Sequence, residues 1–257
     1  MTNAYALVAL AGVFAATTAH AECRQVSPGQ VWNYEGTIGP GYRVRMSLVF
    51  QPDGRLDGEY FYASQLRDIA LRGQIVEGRD VRLEELGAGG DVTAEFKATF
   101  PERDPGGVYG DSPLQCEIIR GTWQKQGAET SLPVELRVES ATSGSLAHRY
   151  GAIGVADDEV VHRRSQAFWR AVKRGDERKA VAQVRFPIDV FVGGKRRHFA
   201  NADALLAAYD EVFTESFREA IARGLPRNMF VRDEGAMLGD GAVWFGADGR
   251  VIALNPP

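Results

Sequence analysis

A short pattern, in which glycine separates two apolar residues on the same face of a strand, recurs four times in the first half of the chain. It occurs at residues 34–38, 56–60, 71–75 and 119–123. A strand uses glycine at such a position where it bends sharply or where a neighbouring backbone comes close. Four such positions predict a strongly curved sheet.

Residues 22–139 contain alternating apolar and polar positions, with turn signals such as Pro52-Asp53-Gly54 between the runs. This pattern predicts an all-β domain, an antiparallel meander or small barrel. Its strand signals Gly58-Glu59-Tyr60 and Gly121-Thr122-Trp123 resemble those of the calycin group, which includes lipocalins and avidins. The interior of such a barrel either holds a ligand or is filled by side chains.

Residues 1–21 have the pattern of a secretory signal peptide. Residues 4–18 form an apolar run, and Ala19-His20-Ala21 before Glu22 fits a signal-peptidase site. The run is shorter than the roughly 20 residues that cross a membrane. We therefore expect cleavage after Ala21, a periplasmic or secreted protein, and no transmembrane anchor after cleavage.

The chain has two cysteines, Cys23 and Cys116. An even number in an exported chain favours a disulfide, although two unpaired buried thiols are the alternative. Closing so long a loop is worth about 4 to 5 kcal/mol in the chain-entropy model. No metal site is predicted, because two distant cysteines without a nearby pair of histidines lack the spacing of zinc ligands.

Residues 140–156 are small and polar and predict a linker. From residue 157 to 257 the apolar spacing alternates between helical and strand periods, which predicts an α+β domain with a curved antiparallel sheet against helices. The acidic residues Asp157-Asp158-Glu159 suit a helix N-terminus, and Asp176, Asn201 and Thr214 are the expected helix caps. The expected helix stops are Gly175, and Gly224 with Pro226.

Four segments of this domain carry a likeness to a known superfamily. They are Phe168-Trp169-Arg170-Ala171-Val172 with Gly175-Asp176, Phe186-Pro187-Ile188-Asp189-Val190, Tyr209-Asp210-Glu211-Val212-Phe213, and Gly239-Asp240-Gly241 before Val243-Trp244-Phe245. In their order they resemble the nuclear-transport-factor-like superfamily, which includes ketosteroid isomerases. The resemblance implies a curved sheet wrapped against the long helix, with a conical pocket between them.

Proton transfer in such a cone needs a carboxylate or a histidine as general base. Asp189 and His198 are the weak candidates. Strand alternation lets Asp189 face inward or face water, and water is favoured because a buried unpaired carboxylate is costly. The sequence has no nucleophile elbow and no glycine-rich phosphate loop, so it predicts neither nucleophilic catalysis nor a cofactor.

Four large aromatic residues are candidates for lining an apolar ligand pocket in the cone: Trp169, Tyr209, Phe213 and Trp244. The alternative is that they fill a closed core. If the cone is open, Trp169 and Trp244 face one cavity, and the residues on either side of Trp244 pack on the opposite face of their strand.

The composition limits the classes of partner that the protein could bind. The net charge is −4 and no basic tail occurs, which argues against a nucleic-acid partner.

The favoured function is that of an exported, non-catalytic binding protein of the bacterial envelope, which binds a small apolar ligand in the cone or an envelope component. One alternative is a proton-transfer enzyme of isomerase or dehydratase type in the same cone. The other is an envelope interaction or inhibitor protein that acts through surface loops such as residues 101–111. The basic run Lys195-Arg196-Arg197 is either a contact for an anionic partner or, as is more common for such runs, a solvated strand face.

Overall fold

The computed structural model describes residues 29–76, 78–104, 116–143, 145–233 and 235–257. Its first part is a closed antiparallel barrel, in which each strand pairs with the next and the last returns to pair with the first. The prediction of an all-β antiparallel barrel is confirmed. The strands are β1 (Gln30–Ile38), β2 (Tyr42–Phe50), β3 (Arg55–Tyr62), β4 (Ile69–Ile75), β5 (Asp80–Leu86), β6 (Val92–Thr99), β7 (Ile118–Lys125) and β8 (Leu132–Ser143).

Side chains fill the barrel interior. Alternate residues of each strand point inward, and four aromatic side chains of the interior, Tyr34, Tyr60, Phe96 and Phe100, are buried to 1% exposure or less. Aromatic rings contact one another across the interior, as Tyr60 and Phe96 do edge to face with centroids 5.4 Å apart. Between the two possibilities for a barrel of this size, these contacts favour a packed interior.

The four glycines of the repeated pattern lie where neighbouring strands come closest. A Cβ atom at Gly36 would lie 1.9 Å from the backbone oxygen of Glu135, and one at Gly73 would lie 2.1 Å from that of Arg82. Gly58 and Gly121 also have very close contacts with the adjacent backbone. Any larger residue would push the strands apart, so the predicted role of these glycines is confirmed.

The segment after the barrel differs from the predicted linker. Residues 140–143 continue β8 and pair with β1. Arg149 and Tyr150 are buried at 4% and 0% exposure, and a 3₁₀ turn, Gly151–Ile153, comes directly after them. Residues that look polar and loose in sequence are therefore held between the barrel and the C-terminal region.

The C-terminal region is an α+β arrangement with two small antiparallel sheets. β9 and β10 form one, and the last four strands form the other. The elements that the structure describes here are α1 (Asp158–Arg174), α2 (Glu177–Val181), β9 (Ile188–Val192), β10 (Lys195–Phe199), α3 (Ala202–Leu206), α4 (Tyr209–Val212), α5 (Glu215–Arg223), β11 (Phe230–Arg232), β12 (Gly235–Leu238), β13 (Val243–Phe245) and β14 (Val251–Leu254).

The predicted helix boundaries agree with the structure. The side chain of Asp157 accepts a hydrogen bond from the backbone of Glu159 at the start of α1, and Gly175 ends that helix at a φ of 68°. Asp176, Asn201 and Thr214 cap α2, α3 and α5 in the same way. These are local interactions, which explains why the sequence alone locates them.

Aromatic side chains fill the C-terminal core. Phe168, Phe213 and Phe245 are fully buried, and the Phe168 ring lies 5.8 Å from that of Phe245 and 6.3 Å from that of Phe213. On β13, Val243 and Phe245 face this core while Trp244 is partly exposed on the other side. The residues of β13 alternate between the two faces of the strand, as expected. An open cone would have Trp244 on its inner face, whereas Val243 and Phe245 face the core instead, and the conical pocket is not confirmed.

Candidate functional site at the barrel junction

The structure brings Asp189 and His198 together on the outside of the C-terminal region. They lie opposite each other on β9 and β10, with His198 Nδ1 3.0 Å from Asp189 Oδ1. Both side chains are exposed, at 37% and 61%. Hydrogen bonds from Arg196 and then His198 hold the pKa of Asp189 below its usual value. The pair faces solvent, away from the buried Ile188 and Val190.

Neighbouring carboxylates neutralise most of the basic run 195–197. Arg196 Nη2 donates to Asp189 Oδ2 at 2.6 Å, and Arg197 forms an ion pair with Glu211 of α4. An anionic partner would have to displace these carboxylates. The run is therefore a weaker candidate for anion binding than its sequence indicates.

The four aromatic candidates occupy three different environments. Tyr209 and Phe213 stack at 4.4 Å inside the C-terminal core, where burial, followed by the charge of Glu177, raises the pKa of Tyr209 to about 12. Trp244 lies on the outer face of the last sheet. Trp169 lies at the junction with the barrel, packed against Phe61, Leu66 and Leu225.

A buried arginine joins the barrel to the C-terminal region. Arg149 Nη1 donates to Asn33 Oδ1 at 3.0 Å, and Nη2 donates to Glu59 Oε1 at 2.8 Å. Asn33 and Glu59 lie on the outer faces of β1 and β3. Burial, followed by the nearby carboxylate of Asp68, raises the pKa of Glu59, whereas the charge of Arg149 opposes this rise. The guanidinium thus favours the charged form of Glu59, against the burial and the neighbouring carboxylate that raise its pKa.

A second set of polar contacts comes from the turn before β11. Asn228 Nδ2 donates to Glu59 Oε1 at 2.9 Å and to Asp68 Oδ1 at 3.1 Å. Arg45 of β2 donates to the carbonyl oxygen of Asn228 at 3.0 Å and to Glu35. Arg227 pairs with Asp68 at 2.5 Å. The contacts fix the orientation of the two parts, because buried polar groups must keep their partners.

Three adjoining depressions follow this junction, and we call them together the junction furrow. The first, a cleft of about 300 Å³, has the charged groups of Glu35, Arg43, Arg45 and Glu139 on its barrel side. Its other side is formed by the last sheet and the end of α5, including Leu225, Phe230, Met237 and Asp240. The cleft therefore has charged groups on its barrel side, and apolar side chains together with the charged Arg223 and Asp240 on the other side.

The second depression is a groove of about 640 Å³ beside Trp169. Its cations are Arg43 from β2 and Arg170, Lys173 and Arg174 from α1. Among the residues described around it, none that lines the groove is an aspartate or a glutamate. We call this part of the furrow the basic groove.

The third depression, about 520 Å³, lies between α1 and the turn after β3. It shares Arg170 with the basic groove, which in turn shares Arg43 and Leu225 with the cleft. The three depressions are therefore neighbours along the junction, and the junction furrow is the row that they form. Sequence reasoning missed this site except for Trp169, although the spacing of Arg170, Lys173 and Arg174 on one helix face was a usable signal.

Several predictions lie outside the described residues. The signal peptide, Cys23 and most of the loop 101–111 are among these, so the cysteine pairing stays a prediction. Cys116 itself is fully buried in the barrel, and its carbonyl oxygen accepts a hydrogen bond from Tyr34 Oη at 2.9 Å. In the described part of the chain, no group of three or more His, Cys, Asp and Glu is placed to hold a metal ion.

No helix within the described ranges combines the length and apolar character needed to cross a membrane.

Comparisons with known proteins add little. No protein-family model matches the chain, and no curated protein is significantly similar to it. One solved structure, a de novo designed fluorescence-activating β-barrel, is similar at 15% identity and a TM-score of 0.30, over 47% of this chain and 100% of the designed one. A TM-score of that size supports no conclusion about function.

Proposed function

We propose that this chain is an exported, non-catalytic binding protein of the bacterial envelope, and that its ligand lies in the junction furrow. The observation that carries the proposal is the furrow itself, a row of three neighbouring depressions between two filled cores. Ligand sites occur preferentially between domains, where concave surfaces combine apolar walls with a few polar groups.

The filled C-terminal core is the reason for placing the ligand in the furrow and not in the cone. Phe168, Phe213, Phe217 and Phe245 are fully buried together in the C-terminal core, and none of them lines the three depressions described above. The same packing disfavours the alternative of a proton-transfer enzyme there, since a general base must reach a substrate that is largely shielded from water.

Export is a part of the proposal that rests on the N-terminal sequence. The apolar run and Ala19-His20-Ala21 support it, and an exported chain favours the bridge between Cys23 and Cys116. N-terminal sequencing of the periplasmic protein should start at Glu22. Finding residues 1–21 intact on the exported protein would contradict this part.

Membership of the nuclear-transport-factor-like superfamily also stays a proposal. The long helix α1, the β9–β10 hairpin and the final four-stranded sheet follow the order expected from the resemblance. A calycin relationship for the barrel is proposed on the strand signals at Gly58 and Gly121. Neither relationship assigns a ligand.

A neutral fluorescent probe, N-phenylnaphthylamine, tests the furrow as a binding site. The folded protein should bind the probe in the cleft, where Phe230 and Met237 form the apolar wall. Met237→Gln should weaken binding about fivefold, since it removes about 1 kcal/mol of apolar contact. Fluorescence titration measures the affinity.

Val76→Gln is the matched control, because Val76 is an exposed apolar residue of the barrel that does not line the cleft. It should leave the affinity unchanged. A parent protein that binds no probe, or two variants that weaken binding equally, would remove the cleft from consideration.

A further inference from the structure

We propose that the basic groove beside Trp169 is a binding site for a phosphate group. This inference rests on the proposed function, because the groove is the middle part of the junction furrow. It adds the chemical class of the ligand.

Three cations in the groove make no ion-pair contact with a carboxylate among the described residues. Among the described residues, Arg170, Lys173 and Arg174 form no ion pair, and the polar contact of Arg170 is with the side chain of Gln166 at 3.1 Å. All three side chains belong to exposed residues of α1, at spacings of three and four that place them on one helix face. Hydrogen bonds from Lys179, and to a smaller extent the charge of Arg174, lower the pKa of Asp176. Within the described ranges, no carboxylate touches the three cations, so a ligand in the groove can reach them.

Trp169 organises this part of the groove. Its indole Nε1 donates to the carbonyl oxygen of Ala222 at 3.3 Å, and its ring packs against Phe61 and Leu225. The ammonium of Lys173 lies 3.9 Å from the ring centroid. The fixed indole therefore holds the lysine over the groove through a cation–π contact.

The helix dipole of α1 explains the positions of only some of these cations. Lys173 and Arg174 are in the last turn of α1, where the helix dipole favours positive charge. Arg170 precedes that turn, and Arg43 reaches the same groove from the barrel while bound to Glu35. The fold thus gathers positive charge here from two separate parts of the chain.

A phosphate group fits this arrangement better than a carboxylate does. It carries up to two negative charges and three acceptor oxygens, which several guanidinium and ammonium groups can share. A carboxylate offers one charge and matches one guanidinium. With no carboxylate among the described lining residues, a phosphate meets no opposing charge in the groove itself.

The test measures binding of inorganic pyrophosphate by calorimetry, and of vesicles by cosedimentation. Vesicles of phosphatidylcholine with phosphatidylglycerol are compared with vesicles of phosphatidylcholine alone. The double variant Arg170→Gln/Arg174→Gln should weaken binding at least about tenfold, as expected when two charge-assisted hydrogen bonds are lost. Its thermal unfolding should match the parent because both side chains are exposed.

The control variant is Arg82→Gln/Arg178→Gln, which removes the same charge from two exposed positions outside the furrow. It should bind as the parent does. Pyrophosphate binding without vesicle binding would support a soluble phosphate compound as the ligand, and selective binding to anionic vesicles would support a lipid headgroup. Absence of both, or equal losses in the two double variants, would overturn the inference. If N-phenylnaphthylamine still bound, and Met237→Gln still weakened its binding, the proposed function would stand without the phosphate site.

Discussion

Replacing Phe245 with alanine should lower the free energy of unfolding by about 3 to 5 kcal/mol, the usual loss for a large aromatic residue in a packed core. Phe245 is fully buried and contacts the Phe168 ring edge to face. Urea denaturation followed by circular dichroism measures the change.

Trp244→Ala is the matched comparison, one residue away on the same strand. Trp244 is partly exposed on the outer face of the sheet, so its removal should cost only about 1 to 2 kcal/mol. A larger loss for Trp244 than for Phe245 would mean that the sheet faces the other way. The open cone would then return as the place for a ligand.

Arg149→Ala should also destabilise the protein by about 3 to 5 kcal/mol, the range for breaking a buried ion pair. The variant leaves Glu59 with its amide contact to Asn228 but without the guanidinium that balances its charge. The side chains of Arg149 and Glu59 are only 2% and 17% exposed, so water cannot readily replace that guanidinium. Chemical denaturation measures the loss.

Arg55→Ala provides the control for removing an arginine. Arg55 pairs with Asp53 at 2.7 Å, but their side chains are 70% and 55% exposed. The unfolding midpoint should hardly change in this variant. If Arg149→Ala behaved in the same way, the junction would not be held by its buried polar contacts, and the walls of the furrow would be free to move.

Local signals made much of the fold predictable from sequence. The caps at Asp157, Asn201 and Thr214 involve atoms two or three residues apart, so the residue type and its position suffice. The repeated glycines likewise indicate strand curvature. The same signals do not distinguish a closed barrel from an open meander, because pairing of β1 with β8 joins segments about 100 residues apart.

Strand periodicity predicts which residues share a face of a strand, but it does not predict which face packs against the core. Alternation shows that Val243 and Phe245 share a face, yet the core could lie on either side, and only packing against Phe168 decides it. For the basic run 195–197, the sequence likewise left two possibilities, an anion contact and a solvated strand face. The partner of this run, Glu211, lies on a different element, where sequence adjacency gives no indication of it.

The furrow was beyond sequence reasoning because its walls come from distant parts of the chain. Arg43 and Ala63 of the barrel meet Arg170 and Leu225 of the C-terminal region there. No short motif connects these positions. The cations of α1 could have been recognised by helical spacing, but their lack of carboxylate partners is visible only in the folded chain.

The covered outer face of the barrel constrains how this chain can change in evolution. Phe61 is fully buried there beneath the C-terminal region, and Arg45 gives hydrogen bonds to backbone oxygens of residues 227 and 228. Recombination that moved the barrel alone into another gene would expose that ring to solvent and deprive the guanidinium of those acceptors. The two halves are therefore complementary at this contact, so that a substitution on one side disturbs the packing or the hydrogen bonding of the other.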